Sequence, residues 1–299
     1  MTGGMAGKGN LKGHIIIIAT MLAWAMTFIA TKTLLVTFSP IEILAIRFVI
    51  GYLGLWALCP RWVPFRSAKE EGTMALAGFL GITLYFLLEN VALQYTQAAN
   101  AGIIVSVGPV FTALVSTFFF GKKGVITRPL VIGFLLAMVG LGLVNFSSVT
   151  ELQLNPKGDL LALLAALTWA FYSNVVEKTG SFGYSVFLVT RRTFFYGLLL
   201  MLPFVWGMGF DVTLAELLMP KNLGCMLFLA LGASTLCFAS WNYGVKMLGP
   251  VTSSLYLYMQ PVFTIIASVV ILHETVTRTA GIGIGLTLAG LLVSSRKGS

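Results

Sequence analysis

Ten stretches of about twenty predominantly apolar residues follow one another along this chain, separated only by short polar breaks. They cover approximately 14–35, 40–59, 73–93, 98–120, 128–146, 158–177, 185–207, 222–243, 250–272 and 279–295. At about 1.5 Å of rise per residue, twenty residues of helix cross a hydrocarbon core of about 30 Å. The runs are apolar on every side, which fits helices in lipid. Membrane barrel strands alternate in polarity over about ten residues and do not fit. The breaks carry Pro, Gly or charge: Ser39-Pro40, Pro60-Arg61, Gly121-Lys122-Lys123, Asn155-Pro156-Lys157, Pro220-Lys221, Gly249-Pro250 and His273-Glu274. None leaves room for a separate soluble domain. Only 10% of the 299 residues are charged and 58% are hydrophobic, against about 25% charged in soluble domains. An ordinary cytosolic enzyme, a disordered chain and a disulfide scaffold are therefore excluded. The three cysteines, Cys59, Cys225 and Cys237, show no metal or disulfide spacing. The first apolar run reads as a membrane helix rather than a removed leader.

The net charge of +9 would point to nucleic acid in a soluble protein. Here it reads as a topology signal. Lys8, Lys12, Arg61, Arg66, Lys69, Lys122, Lys123, Arg128, Lys178, Lys246, Arg296 and Lys297 fall on one side of the membrane. Lys32, Lys157, Lys221 and Arg278 fall on the other, and Arg47, Arg191 and Arg192 lie in spans. Cytoplasmic loops are enriched in Lys and Arg. Both termini are thus expected in the cytoplasm, with a bacterial inner membrane as the home and no nucleic-acid partner.

The chain also repeats itself. Lys12-Gly13 followed by Ala23-Trp24-Ala25 recurs as Lys157-Gly158 followed by Thr168-Trp169-Ala170, and Arg47 recurs as Arg192. Leu80-Gly81 matches Leu231-Gly232, and Gly108-Pro109-Val110-Phe111 matches Gln260-Pro261-Val262-Phe263. Arg128, Gly133 and Gly140 match Arg278, Gly283 and Gly290, and the offset drifts only from 145 to 152. Each half, 1–150 and 151–299, holds five helices. An odd number of crossings inserts the second half upside down. The expected fold is therefore an all-α membrane protein of ten helices in two inverted repeats, an arrangement found in secondary transporters with midplane sites.

This pattern resembles the EamA family of the drug/metabolite transporter superfamily. The resemblance is carried by five-plus-five helices, the Trp-Ala pairs, the helix-two arginine, Pro109 and Pro261, the His273-Glu274 turn and the Gly-x6-Gly of helices five and ten. It implies export of small metabolites, often amino acids, across the inner membrane without ATP hydrolysis. Within the family the chain is similar to aromatic amino-acid exporters. The resemblance further implies a cavity between the halves. The acidic member of the 273–274 turn departs from the repeat, since Gly121-Lys122 stands at the equivalent place.

An ionisable group within a span is a functional candidate, because burying it costs about 2.5–3.5 kcal/mol on the insertion scale. Arg47, Arg192 and Glu89 qualify. The symmetry of the arginines favours architecture, while Glu89 has no charged repeat mate. Glu89 and Arg47 share the outer half and are expected to form a salt bridge, the sharper alternative being a proton or substrate-ammonium site. Glu42 is expected to be solvated at the interface. Trp24 and Trp169 sit at midspan, as packing wedges or as cavity walls offering a π-face. Trp241, Asn242, Tyr256, Tyr258 and Gln260, with Tyr85, Asn90, Ser106 and Tyr172, complete the expected substrate-cavity set. Pro109 and Pro261 are kinks or hinges. Gly133, Gly140, Gly283 and Gly290 are smooth faces for helix packing or dimer contacts.

No ATP motor loop, zincin site or paired intramembrane nucleophile occurs in the sequence, and neither cofactor nor metal is expected. The reading is a secondary transporter, not an enzyme, that exports small organic metabolites by alternating access. Its alternatives are a channel-like uniporter for small neutral solutes and a transporter of another metabolite or drug class. The expected partners are a small-molecule substrate and the bilayer, the protein being a monomer or weak homodimer.

Overall fold

Lipid offers no hydrogen bonds, so every backbone N–H and C=O must be satisfied within the protein. The computed structural model describes residues 3–62, 65–96, 98–148, 155–263, 266 and 277–296, and among these no strand occurs. The long helices are α1 (Leu11–Leu34), α2 (Pro40–Leu58), α3 (Ala68–Tyr95) and α4 (Ala101–Phe118). After α5 (Arg128–Ser148) come α6 (Pro156–Phe182), α7 (Val186–Met208) and α8 (Pro220–Leu248). Next is α9 (Pro250–Leu255), which passes through a 3-10 turn at Tyr256–Tyr258 into helical residues 259–263. The last is α10 (Arg278–Ser294). Seven of these helices, α1 to α4 and α6 to α8, are long and apolar enough to cross a membrane. The later part of the ninth apolar run, with His273 and Glu274, lies outside the described residues.

Polar residues in the breaks start the helices. Ser39 and Glu42 form a reciprocal capping box on α2. Ser67, Asn155, Ser185 and Thr277 cap α3, α6, α7 and α10 through their side chains. Glu42 is therefore not solvated: it is buried and accepts from the backbone N–H of Ser39 at 2.7 Å and of Asp211 at 2.8 Å. Helix α3 begins at Ala68, earlier than hydropathy alone indicates, because the Ser67 cap extends it through the charged Lys69, Glu70 and Glu71.

Four of the helices depart from α geometry at matched places in the repeat. α3 contains a π-helical stretch at Phe79–Leu84, and α8 contains one at Phe228–Leu236. Gly81 and Gly232, paired in the sequence, lie in these two stretches. α4 breaks at Ser106 and Val107, just before Pro109. α9 tightens to 3-10 at Tyr256–Tyr258, just before Pro261. Proline supplies no N–H to the preceding turn and crowds its carbonyl, so both prolines stand beside a bend. α1 also breaks, at Met26, where the Thr27 hydroxyl donates to the carbonyl of Trp24 at 2.7 Å.

The packing crosses between the two halves. α1 lies on α8 as α6 lies on α3, and α2 lies on α8 as α7 lies on α3. Three further pairs, α2 with α7, α4 with α9 and α5 with α10, join equivalent helices. Hydrogen bonds follow the same exchange: Thr83 donates to the Gly197 carbonyl at 2.8 Å, and Thr235 to the Gly51 carbonyl at 3.1 Å. In lipid, helix association relies on close packing and such bonds.

The tightest seam is α5 against α10. A Cβ on Gly133 would meet the Gly290 carbonyl, and one on Gly290 would meet that of Gly133. Gly140 and Gly283 oppose each other in the same way. Residue number thus rises along one helix as it falls along the other, and the four glycines face each other within the chain rather than outward. Gly140→Ala or Gly290→Ala should lower the melting temperature of the detergent-solubilised protein, by an overpacking penalty of about 1–3 kcal/mol. Gly142→Ala and Gly285→Ala, where the added Cβ has nothing within 4 Å, should leave melting almost unchanged.

Candidate functional site

The irregular segments of α1, α3, α4 and the ninth helix converge on one open cavity of about 390 Å³, a volume that includes the space at its mouth. The bend at Met26 brings Trp24 and Thr27 to it, and the turn after the α3 π-helix brings Tyr85, Phe86 and Glu89. Arg47 enters from α2, Trp169 from α6, and Gln260 from the ninth helix. Val105 and Leu257 complete the lining. These two stand four residues before Pro109 and Pro261, so theirs are the carbonyls that the prolines deprive of a helical donor.

The aromatic wall is continuous. Trp24 and Trp169 meet edge to face at 5.4 Å, and Tyr85 lies 4.8 Å from Trp169 between ring centroids. The Trp24 indole N–H donates to the Ala233 carbonyl at 3.1 Å, within the α8 π-helix. Behind this wall, Phe48, Phe86, Phe194 and Phe238 stack edge to face or tilted. Each such contact adds about 0.5–1.5 kcal/mol beyond area burial, so the wall is a rigid element of the core.

Two opposite charges face this cavity without touching. Arg47 is 1% exposed. Its Nε donates to Ser234 at 3.0 Å, and its guanidinium lies 4.5 Å from the Phe86 ring centroid. Glu89 accepts from Tyr85, one turn earlier on α3, at 2.8 Å. The expected Arg47–Glu89 salt bridge is not formed: the ion pairs among the described residues are Lys122–Glu177 and Arg192–Glu71. The reason is geometric. Arg47 is turned toward α8 and the aromatic core, while Glu89 is held by its own helix. A guanidinium has five N–H donors, and Arg47 gives one of them to Ser234.

Arg192, the repeat mate of Arg47, lies outside this cavity. It binds Glu71 through two bonds of 2.8 and 2.9 Å, and Tyr196 donates to the same carboxylate at 2.5 Å. It is an ion-paired clamp between α7 and α3, not an isolated buried charge. The equivalent arginines therefore have different partners. Glu71 and Ser234 were not anticipated; Glu71 lies outside the apolar run, and a single Ser inside one carries no periodic signal.

The other sequence-selected residues are distributed around the cavity. Tyr172 and Trp241 form a second layer, with ring centroids 4.8 and 5.4 Å from Trp169. Tyr172 donates to Asn242 at 2.7 Å, and Asn242 donates to Thr190 at 2.9 Å. Asn242 also lines a separate crevice of about 250 Å³ with Thr179, Tyr184 and Lys246. Asn90 donates to the Pro40 carbonyl at 3.4 Å and ties α3 to the start of α2. Ser106 donates to the Gly102 carbonyl at 2.8 Å, at the break in α4. Tyr256 is bonded to His14 at 2.6 Å. Tyr258 is buried in the cluster of Ala113, Leu130 and Leu291 that joins α4, α5 and α10. Apart from Ser106, whose bond stays within α4, these side chains join helices, and none of them lines the 390 Å³ cavity. Among the described residues no group of His, Cys, Asp and Glu could hold a metal ion.

The chain is similar along nearly its whole length to proteins named as transporters. An uncharacterized transporter of Archaeoglobus fulgidus shares 27% identity over 294 residues, covering 96% of this chain and 99% of its own. The uncharacterized transporter YetK of Bacillus subtilis shares 24%, covering 98% and 89%. A probable terminal-alkyne amino-acid exporter of Streptantibioticus cattleyicolor shares 23%, covering 94% and 92%. One solved crystal structure has the same fold, with a TM-score of 0.73 and 20% identity over 95% of each chain. The model of the EamA-like transporter family matches twice, over residues 11–146 and 156–296. With a multi-pass helical fold, two matched repeats and relatives that are transporters, the chain belongs to the EamA-like transporter family.

Proposed function

We propose that the protein exports amino acids and related zwitterionic metabolites with apolar or aromatic side chains, by alternating access. The observation that carries this reading is that Arg47 and Glu89 share one cavity without pairing. A carboxylate fits the guanidinium N–H groups that Ser234 leaves over. An ammonium fits Glu89 and the faces of Trp24, Tyr85 and Trp169. The same rings suit an apolar side chain. Sugar phosphates would call for several convergent cations instead. The relative named as a probable terminal-alkyne amino-acid exporter supports the same class.

The architecture in this reading is ten crossings in two inverted repeats, 1–150 and 151–299. The exchanged contacts of α1–α8 with α6–α3, and the antiparallel glycine seam, support it. The lopsided Lys and Arg distribution supports a bacterial inner membrane with both termini in the cytoplasm. In that orientation the cavity lies toward the outside. Trp169, Trp241 and Tyr172, with the Tyr172–Asn242–Thr190 bonds, then separate it from the cytoplasmic crevice. Opening inward requires breaking those bonds, which join α6, α8 and α7.

A proteoliposome uptake screen of the amino acids, with and without a pH gradient, tests the proposal. Apolar and aromatic amino acids should compete for uptake; movement of none of them overturns the substrate class. Arg47→Gln removes a charged hydrogen bond of about 1.5–3 kcal/mol and should lower transport efficiency roughly 10–100-fold. Glu89→Gln, which removes both the ammonium partner and a titratable proton site facing the cavity, should lower transport and abolish stimulation by the pH gradient; normal transport with normal pH dependence would rule out both roles for Glu89. Tyr172→Phe should raise labelling of a cysteine placed at Thr179 by a cytoplasmic thiol reagent, and unchanged labelling would argue against the barrier. A C-terminal reporter should be active only in the cytoplasm.

A further inference from the structure

A second crevice, of about 410 Å³, lies between the end of α2 and the start of α7. Its wall is made by Tyr52, Trp56, Trp62, Arg191, Arg192 and Phe195. Arg191 is held in place: it donates to the Cys59 carbonyl at 2.5 Å and to the Arg61 carbonyl, and its guanidinium lies 3.9 Å from the Trp56 ring centroid. Trp56 and Trp62 meet edge to face at 5.2 Å. Arg192 is neutralised by Glu71, but neither Arg191 nor the exposed Arg61 forms an ion pair among the described residues. The wall therefore carries one uncompensated guanidinium, Arg191, beside a pair of indoles, and the exposed Arg61 adjoins it as the chain neighbour of Trp62.

From this end an apolar strip runs along both helices. On α2 it presents Val49 and Leu53, 47% and 59% exposed, and on α7 Phe195, Leu199 and Leu202, 42–57% exposed. Tyr52 and Phe195 join its two sides, with ring centroids 6.4 Å apart. A head region of two cations and two indoles, continuous with a lipid-facing apolar groove, complements a phosphodiester that carries acyl chains. Tryptophan is at home at the level of lipid headgroups, and basic pockets between helices on this basic-rich side bind anionic headgroups.

We propose that the α2–α7 crevice is a specific site for an anionic phospholipid, with the phosphate at Arg61 and Arg191, the glycerol against Trp62 and an acyl chain along Leu53 and Leu199. This site is separate from the transport cavity, and its test involves no transport.

The test is tryptophan quenching of the full-length protein in phosphatidylcholine vesicles, doped with brominated phosphatidylglycerol or brominated phosphatidylcholine. The difference between wild type and Trp62→Phe isolates the Trp62 emission. Brominated phosphatidylglycerol should quench that emission at lower mole fraction than brominated phosphatidylcholine. Arg61→Gln should weaken the preference about fivefold, as loss of one basic contact predicts. Inorganic phosphate in the buffer should not relieve the quenching. Equal quenching by the two brominated lipids overturns the proposal, as does relief by phosphate, which would make the crevice a site for the free anion. If Arg61→Gln fails to fold, the comparison of the two lipids on wild type still decides.

Discussion

The absence of water from the hydrocarbon layer is the constraint on which the rest of this structure depends. It forces helices, because only a helix satisfies its backbone within one segment. It also removes the hydrophobic drive between helices, since lipid tails are as apolar as leucine. Association then rests on close approach and on buried hydrogen bonds. The glycine seam of α5 and α10 supplies the first, and the paired Thr83–Gly197 and Thr235–Gly51 bonds supply the second. These features join the two halves to each other, so the core lies where they meet.

The same constraint explains why the cavity stands where the helices are irregular. A straight, fully bonded helix offers a ligand only side chains. The breaks at Met26, before Pro109 and before Pro261, and the π-helix of α3, stand beside the lining residues, and the π-helix of α8 offers backbone groups to other partners. The Trp24 indole already uses one of these, the Ala233 carbonyl. Arg47 and Glu89 are tolerable at this depth because each has a polar neighbour and the aromatic core holds the arginine.

Much of this was legible in the sequence. Helix existence followed from the length of the apolar runs, and the Pro and Ser breaks placed most starts within a few residues. The repeat pairs Arg47 with Arg192, Trp24 with Trp169 and Pro109 with Pro261 on spacing alone. The family match over both halves bears out the resemblance drawn from those motifs. Of the expected cavity residues, Trp24, Tyr85, Trp169 and Gln260 line the 390 Å³ space. Asn90, Tyr256 and Tyr258 belong to the same expected set, yet their surroundings are other helices. Polarity in a span says that a partner is needed and does not say whether it is a ligand or a neighbour. The π-helices were not legible at all, since one extra residue in a turn leaves an apolar run looking unchanged.

What the sequence determined by itself is the solvent of this chain, its helical class and its internal duplication, because composition, run length and repeat spacing act locally along the chain. Only the tertiary structure decided which charges meet. Arg192 finds Glu71, while Arg47 and Glu89 stay apart with a cavity beside them. The physical reason is that pairing depends on the rotation of one helix against another. That rotation is set by contacts between helices far apart in sequence and by irregularities such as the α3 π-helix, which ends at Leu84 just before Tyr85 and Glu89.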